Sequence, residues 1–170
     1  PAFAKAGGPF RVVQLWVNLP AKDKLAPGGY QGILAADIPV VQLPDAAGTA
    51  RVIAGALGDA TGPARTFTPI NVWDVRLNRD ADVVLPLPEG HTAMLVVLGG
   101  HVTVNGSQAA GEAEVALLSR EGGDVSVHAD GDATLLVLTG EPIDEPIAGY
   151  GPFVMNTEAE IRQAIDDFNS

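Results

Sequence analysis

Cysteine is absent from this 170-residue chain. Its absence excludes disulfides, thiolate nucleophiles and cysteine-ligated zinc. Lysine is nearly absent, and Lys5, Lys22 and Lys24 all fall within the first 24 positions. Positive charge is therefore scarce: 10 Lys and Arg stand against 21 Asp and Glu, for a net charge of −11. Phosphate contacts need Lys and Arg, so direct nucleic-acid binding is not expected. Anionic membranes are disfavoured for the same reason, and the acidity speaks to solubility more than to a partner. Long apolar runs are missing too. The run Met94–Leu98 is far short of a membrane span, and Pro1–Leu19 has no sustained apolar core that reads as a secretory signal. The expected compartment is the cytoplasm.

What the chain does have is a hydrophobic content of 46% with 20 Gly and 13 Pro. That combination favours many short strands joined by turns over a helical bundle. A chain of this length forms one domain and buries roughly 70% of its unfolded surface. Residues 1–10 read as a mobile lead-in and Val12–Leu19 as a strand. Pro20–Pro44 holds four prolines and little periodicity, as in a linker-like arm, and the compact unit is expected to start near Thr49. From Asn71 to Leu77, Trp73, Val75 and Leu77 alternate with Asp74 and Arg76, a half-buried strand. Ala93–Leu98 reads as a strand covered on both faces. His101–Val104 alternates again and ends in Asn105-Gly106, the signal of a type I′ hairpin turn. Val115–Leu118, Asp124–His128 and Thr134–Thr139 complete the strands. Their 8–12-residue spacing predicts an antiparallel sandwich or barrel.

The last thirty residues are read differently. Pro142, Pro146, Gly149, Gly151 and Pro152 predict a shaped loop rather than helix or strand. Its Ile143, Ile147, Tyr150, Phe153, Val154 and Met155 suit an arm that packs down. Thr157 and Glu160 form the ends of a capping box. Ile161, Ala164, Ile165 and Phe168 follow at i, i+3, i+4 and i+7, a one-faced helix.

Four stretches carry a family resemblance: QLWVNLP (Gln14–Pro20) with Lys22, Asp23 and Lys24; RVIAG (Arg51–Gly55); LPLPEGHTAMLVVLGGHVTVNG (Leu85–Gly106); and the terminal GEPIDEP, YGPFVMNT and EIRQAIDDF. Together they resemble the pirin family of cupin proteins, in family order over nearly the whole chain. The resemblance implies an all-β, cupin-type antiparallel jelly-roll barrel or sandwich with an N-terminal extended arm and a short C-terminal helix. It divides the chain into an arm at 1–45, a cupin β-barrel at 46–149, and a docking loop and helix at 150–170. A pirin is normally a bicupin, and its His-His-His-Glu metal site belongs to the N-terminal cupin. This chain resembles the C-terminal half, so iron or another divalent metal is expected only in the other half.

A cupin metal site needs imidazoles and a carboxylate converging inside the barrel. The cupin pattern places HxH and then Glu on the strand before the hairpin. Here Pro88–Leu95 offers His91 alone, and the Glu position falls on or near Ala93. The later turn, Ser119–Asp124, has no following histidine. His91 is the weak metal candidate, read first as a turn histidine and second as a pocket-lining one. His101 and His128 share parity with polar neighbours and should face solvent. No catalytic or cofactor-binding residue is assigned. Ser119 has no GxSxG elbow. GALGDATG (Gly55–Gly62) lacks GK[ST] and reads as a surface loop. The pairs Glu112/Glu114 and Asp130/Asp132 read as solvated charges. Asn105-Gly106-Ser107 reads as a turn rather than a glycosylation site. Trp16, Tyr150 and Phe153 are the interface candidates.

The expected function is a metal-free cupin module for protein interaction, regulation or apolar small-molecule binding. Its expected partner is a second copy, another cupin domain or another protein. The alternative, implied by the resemblance, is part of a metal-dependent quercetin 2,3-dioxygenase-type pirin; the chain alone is not expected to be an enzyme. Sugar or small-acid binding would need a polar interior, and the strands offer Val, Leu, Ala and Met. A transcription-cofactor role, another family association, would have to act through a protein partner.

Overall fold

The computed structural model describes residues 2–8 and 10–170. The chain groups into two compact units, one of Leu25–Asp144 and one of the residues up to Lys24 with Glu145–Ser170. Within the expected lead-in, Ala2–Ala6 forms a short helix, α1. Positions 1 and 9 of that lead-in lie outside the described residues.

The larger unit is an antiparallel sandwich. Its strands are β1 (Val40–Gln42), β2 (Gly48–Ala54), β3 (Ala56–Leu57), β4 (Ala60–Thr61), β5 (Ile70–Leu77) and β6 (Ala81–Pro86). They continue with β7 (Thr92–Gly99), β8 (His101–Val104), β9 (Gln108–Gly111), β10 (Val115–Leu118), β11 (Asp124–Ala129) and β12 (Ala133–Gly140). One sheet runs β1-β2-β5-β12-β7-β10 and the other β6-β11-β8-β9, while β3 and β4 form a small hairpin. The sheets do not close on themselves. Each keeps two terminal strands that pair on one side only, so the barrel expectation gives way to an open sandwich.

The core follows from strand parity. Val52, Trp73, Val137, Leu95 and Ala116 lie in one cross-strand row of the larger sheet. All five point inward and none exceeds 1% exposure. Leu85, Val102, Val104, Val125 and Val127 meet them from the smaller sheet and are equally sealed. Each such Val or Leu contributes about 1.5–3 kcal/mol of transfer free energy. The turn after β8 has the expected left-handed pair, Asn105 at φ 49° and Gly106 at φ 66°. Ser107 adds a third loop residue, since the ladder resumes at Val104 opposite Gln108. Asn105 Oδ1 also accepts from the Ser126 amide at 3.0 Å, which ties the turn to β11.

Three local readings are corrected in this unit. The arm at Pro20–Pro44 carries 3-10 turns at Ala21–Asp23 and Ala35–Asp37 and ends in β1, so pairing begins before Thr49. The glycine-rich GALGDATG stretch is the β3–β4 hairpin, with Leu57 buried. Ala93–Leu98 is sealed on its inner face, whereas Met94, Val96 and Leu98 on the other face are half-buried.

The smaller unit corrects two more. Val12–Leu19 forms no strand: it enters no ladder, and from Arg11 to Leu19 the backbone makes no hydrogen bond among the described residues. Alternation alone specifies an extended chain, and a strand also needs a neighbour. Conversely, the proline- and glycine-rich terminal loop contains a hairpin, β13 (Ala148–Tyr150) with β14 (Phe153–Met155). Gly151, at φ 55°, supplies the left-handed residue of its two-residue turn. Helix α2 spans Glu158–Asn169. Thr157 caps it by accepting from the Glu160 amide at 3.2 Å, and the Glu160 carboxylate accepts from the Asn156 amide at 3.1 Å. The expected helix face holds at Ile161, Ala164 and Ile165, while Phe168 is exposed and meets Phe153 only edge-on, at 5.9 Å and 74°.

Candidate functional site

His91 sits where the chain enters β7. The turn before it is fixed by backbone bonds, with Leu87 N–H donating to Gly123 O at 2.7 Å and Gly90 N–H to Arg120 O at 3.0 Å. The His91 amide closes the turn on Pro88 O at 3.3 Å. Its ring leads into a buried polar chain: Nδ1 lies 3.4 Å from Thr139 Oγ1 on β12. Thr139 Oγ1 accepts from Asn71 Nδ2 at 2.9 Å, and Asn71 Oδ1 accepts from the Ala56 amide at 3.0 Å. A Cβ at Gly55 would collide with the Asn71 side chain, so glycine at the end of RVIAG makes room for this arrangement. Asn71 and Thr139 are the buried polar residues of an otherwise apolar core. Sequence parity gives both positions as inward but not that they meet across 68 residues of chain.

This arrangement does not fit a metal. Among the described residues no group of three or more His, Asp or Glu side chains is placed so that it could hold a metal ion. Ala93, at the position expected for the ligand Glu, is buried among apolar side chains. The cavity beside His91 measures about 70 Å³ and is walled by Leu87, Ala93 and Leu118 with Ser119 and Asp124. His101 lies exposed and closely flanks Gly111, where a Cβ would come within 2.9 Å of the ring.

His128 is part-exposed rather than simply solvated. Its Nδ1 lies 2.9 Å from Asp82 and its Nε2 3.4 Å from Asp130. The hydrogen bond to Asp82 is the chief cause that raises its pKa above the ordinary histidine value; desolvation opposes the rise, and the charges of Asp82 and Asp130 add to it. The β6–β11 register that sets His128 opposite Asp82 is what the sequence reading lacked. The carboxylate pairs do local work: Glu114 accepts from the Gly111 amide at 2.7 Å and Asp132 from the Arg79 amide at 3.0 Å.

The interface candidates all fall in the smaller unit. Trp16 is 67% exposed and Tyr150 70% exposed, whereas Phe153 is half-buried. Trp16 borders a groove of about 280 Å³ with Leu19, Lys24 and Val154. Lys24 Nζ spans its base, donating to Asn18 Oδ1 at 2.7 Å and to Val154 O at 3.2 Å. Val12, Val13, Leu15 and Val17 are exposed along the same extended segment as Trp16.

The family model of the pirin C-terminal cupin domain matches residues 72–170. The chain belongs to the pirin family. It is 53% identical over 168 residues to a Pseudomonas aeruginosa protein named "Putative quercetin 2,3-dioxygenase", covering 99% of this chain and 58% of that protein. A "Pirin-like protein" of Caulobacter vibrioides is 37% identical over 95% of this chain and 58% of its own length. The crystal structure of a quercetin 2,3-dioxygenase from Acinetobacter baumannii superimposes with a TM-score of 0.87 at 53% identity. That match covers 91% of this chain and 54% of the other. The chain thus spans less than two thirds of the pirin-family proteins it matches. No helix among the described residues is long and apolar enough to cross a membrane.

Proposed function

We propose that this pirin-family cupin is a pairing module, which acts through its surface and holds no catalytic metal of its own. The observation that carries this reading is the location of its apolar side chains. The sandwich interior is filled, with Leu95, Leu135 and Val137 at 0% exposure. Val12, Val13, Leu15, Trp16 and Val17 form a run of exposed apolar residues on an unpaired backbone. Apolar patches of this kind mark protein interfaces. A filled interior also argues against a small molecule inside the sandwich, so regulation would be exerted by docking. The partner is a second copy or another cupin domain. Light scattering after size exclusion at micromolar protein tests this: twice 17.5 kDa is expected, and a clean monomer would contradict self-pairing.

A second reading rests on the names of the relatives. In it, this module supports a quercetin 2,3-dioxygenase whose metal is bound by residues this chain does not supply. Flavonol cleavage by this chain alone, after loading with iron or copper, would move catalysis into this chain and overturn both readings.

A further inference from the structure

The entry to β7 carries a chain of hydrogen bonds whose direction is fixed at its inner end. The Ala56 amide can only donate, so the Asn71 atom it meets at 3.0 Å is the oxygen, and the other terminal atom is the amide nitrogen. Asn71 Nδ2 donates to Thr139 Oγ1 at 2.9 Å, which leaves the hydroxyl its own proton to give. That proton is directed to His91 Nδ1, 3.4 Å away. A neutral imidazole that accepts at Nδ1 carries its hydrogen on Nε2. Asn71 is 9% and Thr139 5% exposed, so water has little access to reverse the order.

The cavity of about 70 Å³ at this end of the sandwich is lined by His91 and not by Thr139, so it meets the ring on the side away from Nδ1. It lies outside the filled interior, and its polar groups come from a turn rather than from inward strand positions. Ser119 and Glu121 belong to the β10–β11 connection and Asp124 opens β11, while Leu87, Ala93 and Leu118 supply apolar walls. Size and charge define the occupant. At about 30 Å³ for each water, the space takes a few heavy atoms, the end of a molecule. Glu121 and Asp124 disfavour an anion, and the neighbouring Arg120 is turned to Asp144 at 3.6 Å. We propose that this site binds the terminal diol of a small neutral polyol, with one hydroxyl oxygen accepting from His91 Nε2 and a hydroxyl donating to the Asp124 carboxylate. Asn71 and Thr139 are then positioning residues, which hold the imidazole as a donor toward the cavity.

This site is independent of pairing, and its test reads the three histidines of the chain side by side. Long-range proton–nitrogen NMR spectra of the isotope-labelled chain at about pH 8.5, where an ordinary histidine is neutral, show which nitrogen of each ring holds the hydrogen. His91 is expected as the Nε2–H tautomer alone. Ethylene glycol is then titrated in, with acetate, an anion of similar size, in a parallel series. The glycol should shift the His91 nitrogens saturably, while exposed His101 and part-exposed His128 drift only linearly with the solvent. Acetate should give His91 no saturable shift. Thr139→Val should lose both the single tautomer and the saturable shift, and Thr139→Ser, which keeps the hydroxyl, should retain both. A His91 hydrogen on Nδ1, or divided between the two nitrogens, would overturn the positioning and with it the site. A folded Thr139→Val chain that keeps its glycol response would do the same. Linear drift on all three rings, or a saturable response to acetate, would overturn the assignment of a neutral polyol.

Discussion

Leu95 and Leu15 are the same residue in opposite circumstances. Leu95 lies mid-row in the larger sheet, touched on all sides and 0% exposed. Leu15 lies on an extended segment without a ladder and is 42% exposed. The first kind of position supplies the free energy of the fold. The second contributes little to this chain's own folding and becomes worth burying only against a partner. Stability and interaction are therefore separable by mutation, and each variant below tests that separation.

Leu95→Ala should be the most damaging, costing about 2–5 kcal/mol because the sealed row cannot collapse around the lost side chain. Urea unfolding measures it, and a loss under half a kilocalorie would mean the interior is looser than described. Thr139→Val keeps the shape but removes the hydroxyl that accepts from Asn71 Nδ2. It should cost about 1–3 kcal/mol, the range for a buried donor left unpaired. An unchanged unfolding midpoint would show that this polar chain does not hold the end of the sandwich. Leu15→Asp should change unfolding by no more than about 0.5 kcal/mol, while abolishing the dimer in light scattering. Loss of stability together with dimerisation would erase the contrast between the two leucines.

The smallest effect is one of pH. His128 has a raised folded pKa, chiefly through its hydrogen bond to Asp82. Its stabilisation is therefore fully present below the unfolded value of about 6.5 and is lost as pH rises through the folded value. Wild type should melt above His128→Asn at about pH 5.5, and the gap should close by about pH 8.5. A gap that widens with pH would reverse the assigned sign.

Much of the sandwich was legible because parity is a local property. Trp73, Val75 and Leu77 declare a buried face in any register, and Asn105-Gly106 declares a turn. The readings that went astray depended on partners. Val12–Leu19 has the alternation of a strand, and nothing in its own residues says whether a neighbour is present. β13 and β14 were hidden by Gly149, Gly151 and Pro152, which read as loop until the turn between them is seen to use Gly151. Closure into a barrel depends on four strand edges far apart in sequence. The link from His91 through Thr139 to Asn71 was not legible, because it joins residues 48 and 68 positions apart. The Asp82–His128–Asp130 arrangement waited in the same way on the β6–β11 register.

Amide hydrogen exchange measured across a range of protein concentrations tests the contrast most directly. The amides of β7 and β12 should be protected at every concentration, since they sit in the centre of the sheet. Those of Arg11–Leu19 should exchange freely in dilute protein and become protected as the chain pairs. Protection of Arg11–Leu19 in the dilute chain, or free exchange at every concentration, would contradict an extended segment held ready for a partner.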